Sequence, residues 1–104
     1  IARIWHGMTR AADADAYWDY LNRTGLPDYR ATAGNQGVTV LAGEGEVAHF
    51  TLISLWDSLD SIRKFAGDDI ETARYYPEDE AFLLELEPRS RIMRCLYRPD
   101  VQPL

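Results

Sequence analysis

Two histidines and a pair of adjacent tyrosines are the side chains of this sequence best suited to acid–base chemistry. His6 lies in the apolar stretch IARIWHGM, and Tyr75 and Tyr76 directly precede Pro77. An imidazole titrates near neutrality and can accept a proton from a phenol or an activated C–H group. A tyrosine presents a flat apolar ring and a polar hydroxyl. We therefore identify His6, Tyr75 and Tyr76 as candidate catalytic residues.

Each of these assignments has a structural alternative. His6 would then be a buried histidine held by a hydrogen bond, and the two tyrosines would cover the edge of the core. The other histidine, His49, is assigned an interface or structural role. Two histidines without close ligand-type neighbours in sequence do not form a metal-binding motif, so we expect no metal ion.

Large aromatic side chains are frequent in the chain and suit a pocket for a planar aromatic ligand. Taken singly, each of them is also typical of an ordinary core. The candidate ligand-binding residues are Trp5, Tyr17, Trp18, Tyr29, Trp56 and Phe65.

Length and charge restrict the class of protein. The chain of 104 residues is predicted to form one domain over 1–104, with residues 98–104 as a C-terminal tail. The formal charge is −6, with 17 acidic and 11 basic residues, which argues against nucleic-acid and membrane partners. The single Cys95 excludes an intrachain disulfide. With no membrane-spanning run and no signal-peptide pattern, we expect a cytoplasmic protein.

The periodicity of apolar residues predicts four strands and two principal helices. The predicted strands cover 2–9, 37–42, 47–56 and 89–97, and the helices 12–24 and about 58–66. Residues 26–35 are predicted as a loop carrying Tyr29, residues 70–75 as a short helical piece, and Glu78, Asp79 and Glu80 as a solvated helix start. The order is β-α-β-β-α-β. We therefore predict an α+β, ferredoxin-like fold, a four-stranded antiparallel sheet with helices on one face.

The third predicted strand, VAHFTLISLW, has two apolar faces. In a sheet with one solvent-exposed face, apolar and polar residues should alternate along each strand. The two predicted helices cover only one face of this sheet. We therefore expect a homodimer whose sheets pack face to face, since large exposed apolar patches are uncommon on monomers. The alternative is a monomer with one partly apolar open face.

Three segments, IARIWHG, LWDSLDSIRKFAG and YYPEDEAFL, resemble the antibiotic biosynthesis monooxygenase (ABM) superfamily, and the resemblance covers nearly the whole chain. It implies a dimeric α+β barrel with a pocket between the sheet and the helices of each protomer. YYPEDEAFL resembles a largely uncharacterised subgroup. Where haem-degrading members carry an axial histidine and a nearby tryptophan, this chain has Tyr75 and Phe65, so the resemblance does not extend to haem chemistry.

Taken together, the resemblance and His6 lead to the expectation of a cofactor-independent monooxygenase acting on a small aromatic or polyketide-like compound. His6 would ionise the substrate, aided by Tyr75 or Tyr76, and the resulting carbanion would itself reduce O₂. The alternative is a non-enzymatic small-molecule-binding or stress-response dimer that uses the same pocket.

Overall fold

Four strands pair in one antiparallel sheet in the order β2–β3–β1–β4. The computed structural model describes residues 1–98, and most of the expected tail, residues 99–104, lies outside this range. The strands are β1 (Ala2–Arg10), β2 (Asn35–Gly43), β3 (Val47–Trp56) and β4 (Arg91–Met93). This order and the helices on one side confirm the predicted ferredoxin-like α+β fold.

The helices of residues 1–98 are one 3₁₀ turn and four α-helical segments that pack on a single face of the sheet. They are the 3₁₀ turn Ala11–Asp13, α1 (Ala14–Arg23), α2 (Gly25–Ala31), α3 (Leu59–Ala66) and α4 (Asp79–Phe82). The α3 helix begins as predicted, because the Ser58 hydroxyl accepts a hydrogen bond from the Ser61 amide, and it ends at Gly67 with φ of 95°.

The segment predicted as a loop after α1 is instead the helix α2. Pro27 is tolerated there because it lies in the first turn, where an amide has no partner within the helix. Leu26 and Tyr29 turn their side chains into the core, and Thr24 separates the two helices with a non-helical backbone (φ −122°, ψ −88°). The prediction of a connecting loop was wrong because burial of these two side chains favours one more helical turn.

The strand β4 ends at Met93, which pairs with Ala2 at the start of β1, so the predicted strand residues 94–97 run past that strand. Residues 70–75 form no helix, and β4 begins two residues later than predicted, for one shared reason. The backbone of 71–73 pairs with that of 88–90, through Ala73 N to Pro88 O at 2.9 Å and Ser90 N to Glu71 O at 2.6 Å. Residues 88–90 are therefore not available to extend β4 along β1. The predicted helix over 70–75 and the predicted strand over 89–97 were both wrong at this point.

A buried arginine fixes the same segment to the sheet. Arg3 is 1% exposed, and its guanidinium donates to the carbonyl oxygens of Ile70 at 3.1 Å and Thr72 at 2.7 Å. These carbonyls are free to accept because 70–72 is not helical. Desolvation lowers the pKa of Arg3 below its ordinary value.

Alternate residues of the central strands point to opposite faces of the sheet. Trp5 and Phe50 are buried beneath the helices, whereas His6, His49 and Ile53 lie on the other side, which we call the open face. No helix among residues 1–98 is long and apolar enough to cross a membrane.

Candidate functional site

A cavity with a volume of about 440 Å³ lies between α1 and the β2–β3 hairpin. We call it the α1 cavity. This volume falls within the range of small-molecule sites, which usually hold an apolar lining and a few polar groups. Its lining residues are Ala11, Ala14, Asp15, Trp18, Val40, Ala42, Gly43, Glu44, Gly45, Ala48 and Phe50.

Small side chains create this space. The α1 helix buries Tyr17, Tyr20 and Leu21 against the sheet, and Ala14, which lines the cavity, carries only a methyl group. Across from it, Ala48 on β3 is equally small. The large buried side chains of α1 set its distance from the sheet. The two alanine side chains are too short to fill that distance, which leaves a cavity.

Two carboxylates, Asp15 and Glu44, are the ionisable side chains among the residues that line the cavity. Both residues are exposed, and they lie in the lining with the indole of Trp18, which is 43% exposed. The cavity therefore combines an aromatic wall with hydrogen-bond acceptors for a donor group on a ligand.

Trp18 is the one predicted ligand-binding aromatic that lines this cavity. Three of the others pack on one another and fill the region between the sheet and the helices α2 and α3: the rings of Tyr29 and Phe65 stack with centroids 4.3 Å apart, and Trp56 lies 5.8 Å from Phe65. Tyr17 is buried separately, with its ring 5.2 Å from that of Phe50.

Trp5, the sixth predicted aromatic, lies beside a void of about 20 Å³ that Tyr17, Tyr29 and Tyr76 also line. Such a volume has room for about one water molecule and excludes an aromatic ligand. The Trp5 Nε1 atom is buried, and it has no hydrogen-bond partner among the described residues.

The two adjacent tyrosines, Tyr75 and Tyr76, donate hydrogen bonds to different partners. Tyr75 packs edge-on against Trp5 at 6.2 Å and donates to the backbone carbonyl of Glu87. Tyr76 donates to Asp28 Oδ2 at 2.6 Å. Burial and the nearby charge of Glu87 raise the pKa of Tyr75 to about 12. Burial and the hydrogen bond to Asp28 also raise the pKa of Tyr76. Both phenols therefore act as donors at neutral pH, and neither lines the α1 cavity.

Asp79, expected in a solvated helix start, is instead 3% exposed and joins α1 to α4. Its Oδ1 accepts from the Tyr17 hydroxyl at 2.9 Å, and its Oδ2 accepts from the Tyr76 amide at 2.6 Å. Burial raises the pKa of this carboxyl although the two hydrogen bonds oppose the shift. The first helical turn after Pro77 therefore carries a structural carboxylate.

The structure brings His6 and His49 together on the open face, across the sheet from the α1 cavity. His6 Nδ1 lies 2.6 Å from Glu87 Oε2, and His6 Nε2 lies 3.1 Å from His49 Nδ1. Spacing in sequence gave no sign of this set, because its members are 43 and 81 residues apart. Among residues 1–98, no group of three or more His, Cys, Asp or Glu side chains could hold a metal ion.

The small residues of the α1 cavity were also missed by sequence reasoning. Their signal was present in the run AADADA and in the alanine and glycines at 42–45. Sequence reasoning that looks for large aromatic side chains around a pocket does not identify such residues. The space in a cavity arises where side chains are short.

We predict that Asp79→Asn removes part of the pH dependence of stability. The folded-state pKa of Asp79 is raised, so its contribution to the free energy of unfolding is full below the unfolded pKa of about 3.9 and is lost as the pH rises through the folded value. The asparagine variant does not ionise, so it should show no such loss. Its Oδ1 can accept from the Tyr76 amide, and its Nδ2 can donate to the hydroxyl oxygen of Tyr17. Urea unfolding at a series of pH values measures it.

The exposed neighbour Glu80 provides the matched control, and Glu80→Gln should leave the pH profile of the wild-type protein unchanged. Asp79→Ala should lower the free energy of unfolding by about 2 kcal/mol, because it leaves the buried Tyr17 hydroxyl without its acceptor. Identical pH profiles for wild type and Asp79→Asn would contradict the assignment of a raised pKa.

No protein-family model matches the sequence, and a search of curated proteins gives no match either. The fold is a general one that supports many functions. The function is therefore argued from the geometry of the α1 cavity and the open face.

Proposed function

We propose that this protein is a small-molecule-binding homodimer that holds a small aromatic compound in the α1 cavity. The volume and lining of that cavity carry the proposal. The apolar part of the lining suits a flat apolar ligand, and the indole of Trp18 offers a surface for stacking.

The carboxylates of Asp15 and Glu44 favour a ligand with a hydrogen-bond donor. A phenolic hydroxyl fits this requirement, since it donates to a carboxylate while its ring remains against the alanines and Phe50. An anionic aromatic ligand is disfavoured, because both groups and the net charge of −6 would repel it.

Filling the cavity should weaken binding of the ligand. We predict that Ala14→Phe weakens the binding of a hydroxylated aromatic probe such as 2-naphthol by at least about tenfold, or about 1.4 kcal/mol, since the new ring occupies the ligand space. Quenching of tryptophan fluorescence measures the affinity. Trp18 reports the ligand, because it lines the cavity, whereas Trp5 and Trp56 are buried in the core and do not line it.

Ala16→Phe is the matched control, because Ala16 is exposed on the same helix and does not line the cavity. It should bind the probe as the wild type does, and Trp18→Phe should remove the signal. Equal affinities for the two phenylalanine variants, or no binding of any hydroxylated aromatic compound, would rule out this cavity as the ligand site.

The dimer part of the proposal is supported by the apolar character of the open face. Residues paired across strands share a face, so Leu41 opposite Thr51 and Met93 opposite Ala2 both lie on it. Leu41 is 51% exposed and Met93 is 44% exposed. Ile53 lies between them on β3. A second copy of the same face would bury this band of apolar residues.

We predict that Ile53→Glu dissociates the dimer, because a carboxylate placed at the centre of an apolar interface loses its hydration. The mass in solution, measured by analytical ultracentrifugation at micromolar concentration, should change from two chains to one. Leu59→Glu, an equally apolar-to-acidic change at a 40% exposed position of α3, should leave the dimer intact. A wild-type protein that sediments as a single chain would overturn this part of the proposal.

A second candidate is cofactor-independent oxygenation of a phenol in the same cavity. Asp15 and Glu44 favour it, because either carboxylate can accept a proton from a bound phenol. The substrate carbanion would then reduce O₂. His6 lies on the other face of the sheet, so Asp15→Asn or Glu44→Gln should lower oxygen uptake with an anthrone-type phenol, whereas Ala16→Phe should not. Absence of oxygen uptake by the wild type leaves binding alone as the function.

A further inference from the structure

Both histidines of the chain and one glutamate form a continuous hydrogen-bonded line on the open face. Glu87 Oε2 lies 2.6 Å from His6 Nδ1, and the other nitrogen of His6 lies 3.1 Å from His49 Nδ1. The neighbours across the strands, Thr51 for His6 and Met8 for His49, carry no charge.

The two imidazoles meet end to end. Their centroids are 5.3 Å apart, close to the N–N distance of 3.1 Å plus the two distances from centroid to nitrogen, and their planes differ by 28°. The nitrogens therefore point at one another along a nearly straight N–H···N hydrogen bond. Lone pairs in this arrangement do not converge on a common point, as they would for metal ligation.

The Glu87 carboxylate determines which nitrogen of each imidazole carries the proton. An ionised Glu87 only accepts, so the neutral His6 ring carries its proton on Nδ1 and has a free lone pair on Nε2. His49 must then donate from its Nδ1, which leaves its own Nε2 unprotonated. His49 is an exposed residue, whereas His6 is half-buried.

We infer that Glu87, His6 and His49 form a proton relay whose outward-facing acceptor is Nε2 of His49. The relay lies within one chain and does not depend on the α1 cavity. His49 pairs with Gly43 and Met8, one row nearer the β2–β3 hairpin than Leu41, so it lies at the margin of the apolar band that the proposed dimer would bury. It assigns to His49, rather than to His6, the nitrogen that meets a ligand on the open face.

The relay accepts one proton from a weakly acidic O–H group, such as a phenol or an enol, placed against His49. The O–H bond breaks, the proton bonds to His49 Nε2, and the Nδ1 proton of His49 passes to His6 Nε2. The positive charge then resides on His6, 2.6 Å from the Glu87 carboxylate, and the anion remains at the open face. Charge separation of this kind is stabilised by the carboxylate.

Nitrogen-15 NMR of the two neutral imidazoles tests the relay directly. The wild type should show both rings as the Nδ1–H tautomer. His6→Phe removes the acceptor, so His49 should return to the Nε2–H tautomer that free histidine prefers. His49→Phe should leave His6 as Nδ1–H, because Glu87 still accepts from it. A wild-type His49 protonated on Nε2 would overturn the relay.

Ethoxycarbonylation by diethyl pyrocarbonate, followed by mass spectrometry of the modified peptide, gives a second readout. His49 should react faster than His6, and Glu87→Ala should slow the reaction of His49 by roughly tenfold. This factor is smaller than is usual for general-base catalysis, because the reagent is not held in a binding site. Glu85→Ala, at an exposed residue of the same segment, is the matched control and should not alter the rate. Equal rates in wild type and Glu87→Ala would contradict the inference.

Discussion

Successive residues of a β-strand point to opposite faces of the sheet, and this constraint separates the two candidate sites of the protein. On β1, Trp5 enters the core beneath the helices, and the next residue, His6, emerges on the open face. A molecule in the α1 cavity therefore has carboxylates near it and no imidazole. A molecule on the open face meets His49 and the relay behind it.

The layer that covers the sheet is held by buried polar groups as well as by aromatic packing. Arg3 fixes the backbone of residues 70–72, and Asp79 joins Tyr17 to the turn after Pro77. Buried polar groups of this kind are costly unless they are hydrogen-bonded, and here their hydrogen bonds join irregular segments to the sheet and to α1. The same segments carry Tyr75 and Tyr76, which explains why these phenols are structural donors.

Sequence reasoning recovered the regular parts of the fold and misread the irregular ones. The strand Val47–Trp56 and the helix Leu59–Ala66 have clear periodicity and caps, and both were predicted. The helix Gly25–Ala31 was missed because Pro27 and the flanking glycine usually mark a loop. In the candidate site, Trp18 was anticipated as a lining residue, whereas Ala14 and Ala48 were not, since the pattern of large aromatics predicts core and pocket alike.

By itself, the sequence determined the fold class, the apolar character of both sheet faces and the position of His6 on the face away from Trp5, because these follow from local periodicity and element order. Only the tertiary structure decided where the space lies and which polar side chains meet. The α1 cavity depends on the separation between a helix and a hairpin, and the contact of Glu87 with His6 and His49 joins residues distant in sequence. Such contacts arise from chain folding in three dimensions, which no local pattern encodes.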